Sequence, residues 1–271
     1  MGTNLCVDLA CEPKRSLGGG DPSAGTDRIR DLLDARSRAD AIEEECVRRG
    51  IPKETAKAEL VLRIGKETRK EVVTVAELRA RTHPLDEHES KCAGCPARVR
   101  DEAYGCYGYA TYPIPRAAEE WLMGLLRPTS ELGGIVCVQA MHDFEWTGER
   151  IRAMRAGGFF EAKEPITRDL GGGAQMTSDR VLEAILALGT LTPTHCAIVL
   201  SWFGAVHVDV QELAGTDKSA LRPLLTLLPE ERAARAKLVL PEPPAAAPHG
   251  AIYLEFLYRA WVTGHRLIVH A

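Results

Sequence analysis

The spacing of apolar residues predicts strands and a helix in the N-terminal part of the chain. Apolar and polar side chains alternate over residues 5–11, which is typical of a strand. Residues 27–49 carry apolar positions at helical spacing, and Asp27 is the expected N-cap. Residues 59–65 and 71–75 flank a charged turn and predict a hairpin with its Val, Leu and Ile side chains inside. These patterns indicate a small α+β unit.

The chain beyond residue 116 has a mainly helical pattern. The segment that begins with Thr192 and Pro193 is apolar almost all round, so we expect it at the centre of a helical core. A strand over residues 266–270 is expected to return to the N-terminal sheet. The other predicted helices cover residues 117–126, 148–156, 177–188 and 252–263.

These elements predict an α+β fold made of a sheet-and-helix unit, a Cys/His metal knuckle and a mainly helical C-terminal part. The alternative is one continuous compact domain, which a chain of 271 residues also allows. The expected segments are a small α+β unit at 1–82, a metal knuckle with a Tyr-rich strand at 83–116, a helical region at 117–240, a Pro-rich connector at 241–248 and a closing helix and strand at 249–271.

Composition and charge narrow the classes of function and location. Hydrophobic residues make up 45% and charged residues 27%, as in ordinary globular proteins. The net charge of −4 provides no global positive field for nucleic acid or an anionic membrane. The longest apolar run, residues 196–204, is about half the length of a membrane span. The start lacks the pattern of a secretory signal, and most cysteines stand among apolar neighbours, so we expect a reducing cytoplasm.

A compact group of cysteines and a histidine predicts a metal site. Cys92 and Cys95 form a C-x2-C pair, a spacing at which a tight turn brings two thiolates onto one ion. Gly94 permits the backbone conformation of that turn. Cys106 is expected to supply a third thiolate. His88 stands four residues before Cys92, one α-helical turn away, and completes a predicted Cys3His tetrahedron.

Zinc is the expected metal, because it accepts three cysteines and one histidine in closed structural sites. An iron–sulfur cluster on the same four residues is the alternative, and the Cys95-Pro96 step occurs in some ferredoxin-type motifs. The usual cluster has four cysteine ligands, so Cys11 would have to join from a distant part of the sequence. A third interpretation treats Cys92 and Cys95 as a redox pair or chance thiols.

A Tyr-rich segment next to the metal candidate predicts a binding surface. If residues 107–111 are extended, Tyr107 and Tyr109 share one face while Gly108 and Ala110 form a face of small residues. Aromatic anchors of this kind bind proteins or stack on bases. The opposing interpretation is that the tyrosines merely cover a site too small for its own core. The candidate surface residues are Tyr104, Tyr107, Tyr109, Tyr112, Arg98 and Arg100.

No catalytic set is evident in the sequence. His142-Asp143 and His195-Cys196 are adjacent pairs, and adjacent residues on a helix do not face each other. We therefore expect a non-catalytic, zinc-stapled protein of the cytoplasm that binds another protein in an interaction, regulatory or assembly role. An iron–sulfur redox protein and a nucleic-acid-binding module with a tyrosine stacking surface are the alternatives. The oligomeric state stays open.

Overall fold

A computed structural model describes residues 2–52, 56–64, 67–209, 221–245 and 250–270. The fold mixes helices with short sheets, so the α+β prediction is confirmed. The chain divides into two compact units. Unit 1 joins Met1–Leu9 to Pro96–Ala271, and unit 2 is Ala10–Cys95. The segment 83–116, predicted to form one metal knuckle, is divided between these two units.

The elements of both units are numbered along the chain. The strands are β1 (Gly2–Val7), β2 (Lys57–Ile64), β3 (Glu67–Thr74), β4 (Tyr107–Thr111), β5 (Thr167–Asp169), β6 (Gln175–Thr177), β7 (Thr190–Leu191), β8 (Val206–Val208), β9 (Ala236–Leu238) and β10 (Leu267–His270). The helices are α1 (Glu12–Leu17), α2 (Pro22–Arg49), α3 (Val75–Asp86), α4 (Arg116–Leu125), α5 (Leu132–Asp143), α6 (Glu149–Ala156), α7 (Ser178–Leu186), α8 (Pro193–Trp202), α9 (Leu221–Thr226), α10 (Pro229–Arg235) and α11 (Ile252–Thr263). A 3-10 helix covers Glu89–Cys92.

Unit 1 contains an antiparallel sheet in the order β4-β1-β10-β7. The last strand returns to the first, with Leu5 opposite Val269, as the sequence predicts. The side chains of Leu5, Cys6 and Val7 are all buried, so both faces of β1 are covered. This burial explains why an N-terminal strand, which would otherwise fray, lies at the interior of the sheet.

Helices α8 and α11 form the centre of unit 1. They pack on one another, and α8 also contacts α5 and α9, which confirms the predicted central position of α8. Trp202 of α8 and Phe256 of α11 are fully buried. At Gly108 of β4, an added Cβ would lie 2.4 Å from Cε2 of Phe256, so only glycine lets the strand approach α11 this closely.

Unit 2 is built on the long helix α2. The helix begins at Pro22, and Asp21 is its N-cap, since the Ser23 amide donates to Asp21 Oδ1 over 2.8 Å. The expected N-cap at Asp27 is therefore wrong. A proline at the first helical position fixes the backbone angle φ at a helical value, and the helix therefore includes Ser23 and Gly25, which precede the predicted start.

A hairpin completes unit 2. Strands β2 and β3 pair antiparallel as predicted, and α3 follows with a capping box between Thr74 and Glu77. Val73, Val75 and Leu78 pack with α2 in a small core. The predicted burial of the β2 side chains and the hairpin turn at 65–66 lie outside the described residues, as does the Pro-rich connector beyond residue 245. Within the ranges that are described, no helix is both long and apolar enough to cross a membrane.

Candidate metal centre

The segment that carries His88 and Cys92 is a 3-10 helix rather than an α-helix. The Lys91 amide donates to the His88 carbonyl oxygen over 3.1 Å, which is the i to i+3 bond of that helix. At three residues per turn, positions four apart point about 120° away from each other, instead of about 40° in an α-helix. The expectation that His88 and Cys92 share a helix face is therefore wrong.

The C-x2-C pair forms the tight turn that the sequence predicts. The Cys95 amide donates to the Cys92 carbonyl oxygen over 3.2 Å, and Gly94 has a φ of 70°, in the left-handed region. The Cys92 side chain is buried and that of Cys95 is half-buried. Neither cysteine forms a disulfide, and the same holds for the other six cysteines, all of which lie in the described part of the chain.

His88 carries an unsatisfied polar atom. Its side chain is buried, and its Nδ1 has no hydrogen-bond partner among the residues that the structure describes. A buried nitrogen without a partner costs about 1–3 kcal/mol, so most such atoms are hydrogen-bonded or bound to an ion. Imidazole nitrogen is also a common metal ligand. His88 is four residues before Cys92 in sequence, and its unsatisfied atom is the main structural observation in favour of a ligand in this part of unit 2.

Ion pairs hold the 3-10 helix against α1 and α2. Lys91 pairs with Glu12 of α1, and Arg36 of α2 pairs with Asp86 at 2.5 Å and Glu89 at 2.6 Å. The hydrogen bond from Lys91 lowers the pKa of Glu12 below its usual value. These groups are partly exposed, so each pair adds little stability, but together the pairs fix which elements lie next to the candidate ligands.

The four predicted ligands are divided between the two units. Cys106 belongs to unit 1, where it precedes β4 and its carbonyl oxygen accepts a hydrogen bond from the Val7 amide at 3.0 Å. His88, Cys92 and Cys95 belong to unit 2. Among the residues that the structure describes, no three His, Cys, Asp or Glu side chains are arranged so that they could hold a metal ion. The metal site therefore stays a prediction.

The four tyrosines differ in exposure. Tyr104 is 3% exposed, so it cannot contribute to a surface and that part of the prediction is wrong. Tyr112 is half-buried, shares a hydrogen bond with the Thr3 hydroxyl, and has a pKa raised by burial. Tyr107 is also half-buried, whereas Tyr109 is 37% exposed. The predicted surface is thus reduced to the exposed face of β4 around Tyr109.

Acidic neighbours reduce the positive charge near this strand. Arg98 pairs with Asp101 at 2.5 Å, and its Nε donates to the Arg100 carbonyl oxygen over 3.2 Å. Arg100 is exposed. One neutralised and one exposed arginine provide only a weak positive field for phosphates. The geometry therefore gives little support to the nucleic-acid alternative.

Unit 1 also holds a buried ionic network that sequence reasoning missed. Arg155 pairs with Glu119 at 2.9 Å and Asp179 at 2.7 Å, and the Ser178 hydroxyl donates to Glu119 over 3.2 Å. All four residues are buried, and the guanidinium lies over the Phe160 ring. The two carboxylates are 36 and 24 residues from Arg155 in sequence, a separation at which no local pattern relates them.

Burial in this network makes stability depend on pH. It raises the pKa of Glu119 above its usual value, although Arg155 opposes the shift. A carboxyl whose pKa is higher in the folded state binds its proton more tightly there than in the unfolded chain. The free energy of unfolding therefore rises as the pH falls from the folded-state pKa to the unfolded-state pKa. We expect Glu119→Gln to remove this gain.

The measurement is urea unfolding of the wild type and Glu119→Gln from pH 7 down to about pH 5, above the unfolded pKa of a glutamate. The wild type should gain stability relative to the variant as the pH falls. Parallel pH profiles for the two proteins would show that Glu119 has the same proton affinity folded and unfolded.

Comparisons with known proteins return no relative of this chain. No family model, no curated protein and no solved structure matches it. The candidate centre therefore depends on its own geometry, in which the C-x2-C turn and the unpartnered His88 nitrogen carry the argument.

Proposed function

We propose that the chain binds one zinc ion through His88, Cys92, Cys95 and one further cysteine, and that the ion stabilises unit 2. The unpartnered, buried Nδ1 of His88 carries this proposal. The protein then acts as a zinc-stabilised interaction module in a reducing cytoplasm, an environment that suits eight cysteines without a disulfide among them.

Metal binding requires movement of side chains in this region, because they are not arranged around one point in the structure. Cys95 is half-buried and can change rotamer without disturbing a packed core. The 3-10 helix of four residues is a single short turn, and such turns adjust readily at functional segments. The energy for these changes comes from the metal–thiolate bonds, whose formation drives folding in small zinc domains.

The protein-partner part of the proposal centres on β4. This strand is at the edge of the described sheet of unit 1, and the side chain of Tyr109 on it is 37% exposed. An exposed edge pairs with an extended segment of another chain, while aromatic side chains supply contact area. This arrangement supports a protein partner better than a nucleic acid, because Asp101 neutralises Arg98 nearby.

The test is elemental analysis and a visible spectrum of the full chain purified without oxygen. We expect one zinc per chain and no colour, and we expect Cys95→Ser to lose the metal. Cys46→Ala is the matched control, since Cys46 is a buried thiol of the same unit outside the proposed site.

Three results would overturn the proposal in different ways. Iron with thiolate-to-iron absorption would replace zinc with an iron–sulfur cluster. A chain purified without any metal, and unable to bind added zinc, would exclude the centre altogether. Equal zinc content in Cys95→Ser and the wild type would move the metal to other residues.

A further inference from the structure

We infer that Cys92 and Cys95 are also a site of reversible oxidation, at which a low-molecular-weight disulfide such as glutathione disulfide converts the two thiols into a disulfide bond. The geometry of the turn between them carries this inference, whether or not a metal binds. Its consequence for the metal rests on the proposed function. Two cysteines that share a disulfide are no longer thiolate ligands, so oxidation would release the zinc.

The backbone that joins the two cysteines is a type II β-turn. Ala93 has a φ of −61° and a ψ of 131°, and Gly94 has a φ of 70°. These angles are close to the values of about −60°, 120° and 80° that define this turn type. The Cys95 amide closes the turn by donating to the Cys92 carbonyl oxygen over 3.2 Å.

This turn brings the two cysteines within the range of a disulfide. In a β-turn the Cα atoms of the first and fourth residues are less than about 7 Å apart. A disulfide joins residues whose Cα atoms are about 4.4–6.8 Å apart. Formation of the bond between Cys92 and Cys95 therefore needs rotation of the two side chains and little movement of the backbone.

Cys95 is the cysteine that meets the oxidant. Its side chain is half-buried, whereas that of Cys92 is 8% exposed. A small disulfide therefore reaches Cys95 more readily than Cys92. The limited exposure of Cys92 disfavours a reaction with a second oxidant molecule, so its thiol is left to react within the turn.

The oxidation consists of two thiol–disulfide exchanges. In the first, the Cys95 thiolate attacks one sulfur of glutathione disulfide, forms a mixed disulfide and releases one glutathione. In the second, the Cys92 thiolate attacks Cys95 Sγ and releases the other glutathione. The two protein thiols give up two electrons and two protons, and glutathione disulfide takes them up as two molecules of reduced glutathione.

Burial makes two cysteines of unit 1 poor competitors for the same oxidant. Cys137 is 1% exposed and Cys196 is 0% exposed. Burial raises the pKa of the Cys137 thiol to about 12, and it also raises the pKa of the Cys196 thiol. Because the thiolate is the attacking species and must be accessible, we expect the oxidant to react at Cys95 in preference to these two residues.

The test is disulfide mapping of the full chain, freed of metal with a chelator and equilibrated without oxygen in mixtures of reduced and oxidised glutathione. After an acid quench the protein is unfolded and its remaining thiols are alkylated. Trypsin then releases residues 92–98 as one peptide that contains both cysteines. We expect this peptide to change from the doubly alkylated form to the disulfide form as the mixture becomes more oxidising, while Cys137 and Cys196 stay alkylated.

Gly94→Ala tests whether the turn is responsible. In the described part of the chain nothing lies within 4 Å of a Cβ added at Gly94, so the change affects only the left-handed backbone. We expect the equilibrium constant for disulfide formation to fall by about 5- to 30-fold, since an L residue disfavours that conformation. Gly50→Ala is the matched control and should oxidise like the wild type. Gly50 has a φ of 65°, similar open space and a place in the same unit.

Two results overturn the inference. The peptide 92–98 stays reduced, or carries glutathione on Cys95 without forming the disulfide, in every mixture. Alternatively, Gly94→Ala oxidises like the wild type, so that the turn is not what brings the thiols together.

Zinc content separates this inference from the proposed function. The zinc-loaded wild type should release one zinc for each disulfide formed, measured with a chromogenic chelator. If the chain binds zinc but the peptide never forms the disulfide, the inference is overturned and the proposed function stands. If the disulfide forms in a chain that binds no zinc, the oxidation site stands and the proposed function is overturned.

Discussion

Replacing Arg155 with alanine is expected to lower the free energy of unfolding of unit 1 by about 3–5 kcal/mol. The guanidinium donates hydrogen bonds to Glu119, to Asp179 and to the Ala162 carbonyl oxygen. Without it, two buried carboxylates lose the positive charge that balances them. Within the described part of the chain Asp179 Oδ2 already has no hydrogen-bond partner, so no donor there stands ready to replace the arginine. The alanine variant also loses the contact between the guanidinium and the Phe160 ring.

The measurement is chemical unfolding followed by a probe in unit 1. Arg266→Ala is the matched control: it removes an ion pair to Asp8 at 2.8 Å in the same unit, but the Arg266 side chain is 61% exposed. Solvent screens such a pair, and we expect a loss below about 1 kcal/mol. If Arg155→Ala lowers the free energy of unfolding as little as Arg266→Ala does, water must reach the two carboxylates. The network would then be solvated rather than buried.

A joint replacement separates the charge balance from the packing. The triple variant Glu119→Leu, Arg155→Met and Asp179→Leu removes every charge of the network, and it should recover most of the stability that Arg155→Ala loses. Buried ionic groups can often be exchanged for apolar side chains of similar volume at no net cost. If the triple variant is as unstable as Arg155→Ala, the network contributes through its shape and hydrogen bonds instead of its charge balance.

Helical and strand patterns identified most of the elements of both units. The helix predicted at residues 252–263 has the same bounds in the structure, and Thr192 caps α8 as expected. These elements have strong local signals, since each is long and periodic or begins with a capping residue. The hairpin of β2 and β3 was also found, because its two apolar runs flank one charged turn.

The sequence patterns did not predict elements that lack a local signal such as a capping residue or regular apolar spacing. Helix α5 begins with Leu132 followed by two glycines, which disfavour a helix when considered alone. A Cβ added at Gly133 would lie 2.5 Å from the Ser201 carbonyl oxygen. A Cβ added at Gly134 would lie 2.2 Å from the Pro128 carbonyl oxygen. Glycine occupies these two positions because the backbone packs closely there, and a single sequence does not reveal such packing.

The candidate ligands illustrate the same limit. The C-x2-C turn could be predicted, because its geometry depends on four consecutive residues and Gly94. The ion pair between Glu12 and Lys91 could not be predicted, since it joins segments that are far apart in sequence. Spacing alone made Cys106 the nearest extra cysteine, although the chain has left unit 2 by that point.

Loss of the proposed zinc is expected to prevent unit 2 from folding, whereas unit 1 should stay folded. One apolar cluster of unit 2 centres on Ala39, Val73, Val75 and Leu78. Structural zinc contributes about 10–16 kcal/mol of apparent binding energy in small domains, which is comparable to the whole stability of a typical domain. Cys92→Ser should therefore remove protection of unit 2 amides from hydrogen exchange, as should a strong chelator.

Hydrogen exchange resolved by peptide mass distinguishes the two units within one intact chain. In Cys92→Ser, peptides of α2 and of the hairpin should exchange rapidly, while peptides of β1, β10 and α11 keep their protection. Cys46→Ala is the control, because it removes a buried thiol of α2 without removing a proposed ligand. We expect it to keep unit 2 protected, with a loss of about 1 kcal/mol that is ordinary for a small core truncation. Unchanged protection of unit 2 in both Cys92→Ser and the chelated wild type would mean that packing alone folds this unit and that no structural metal is needed.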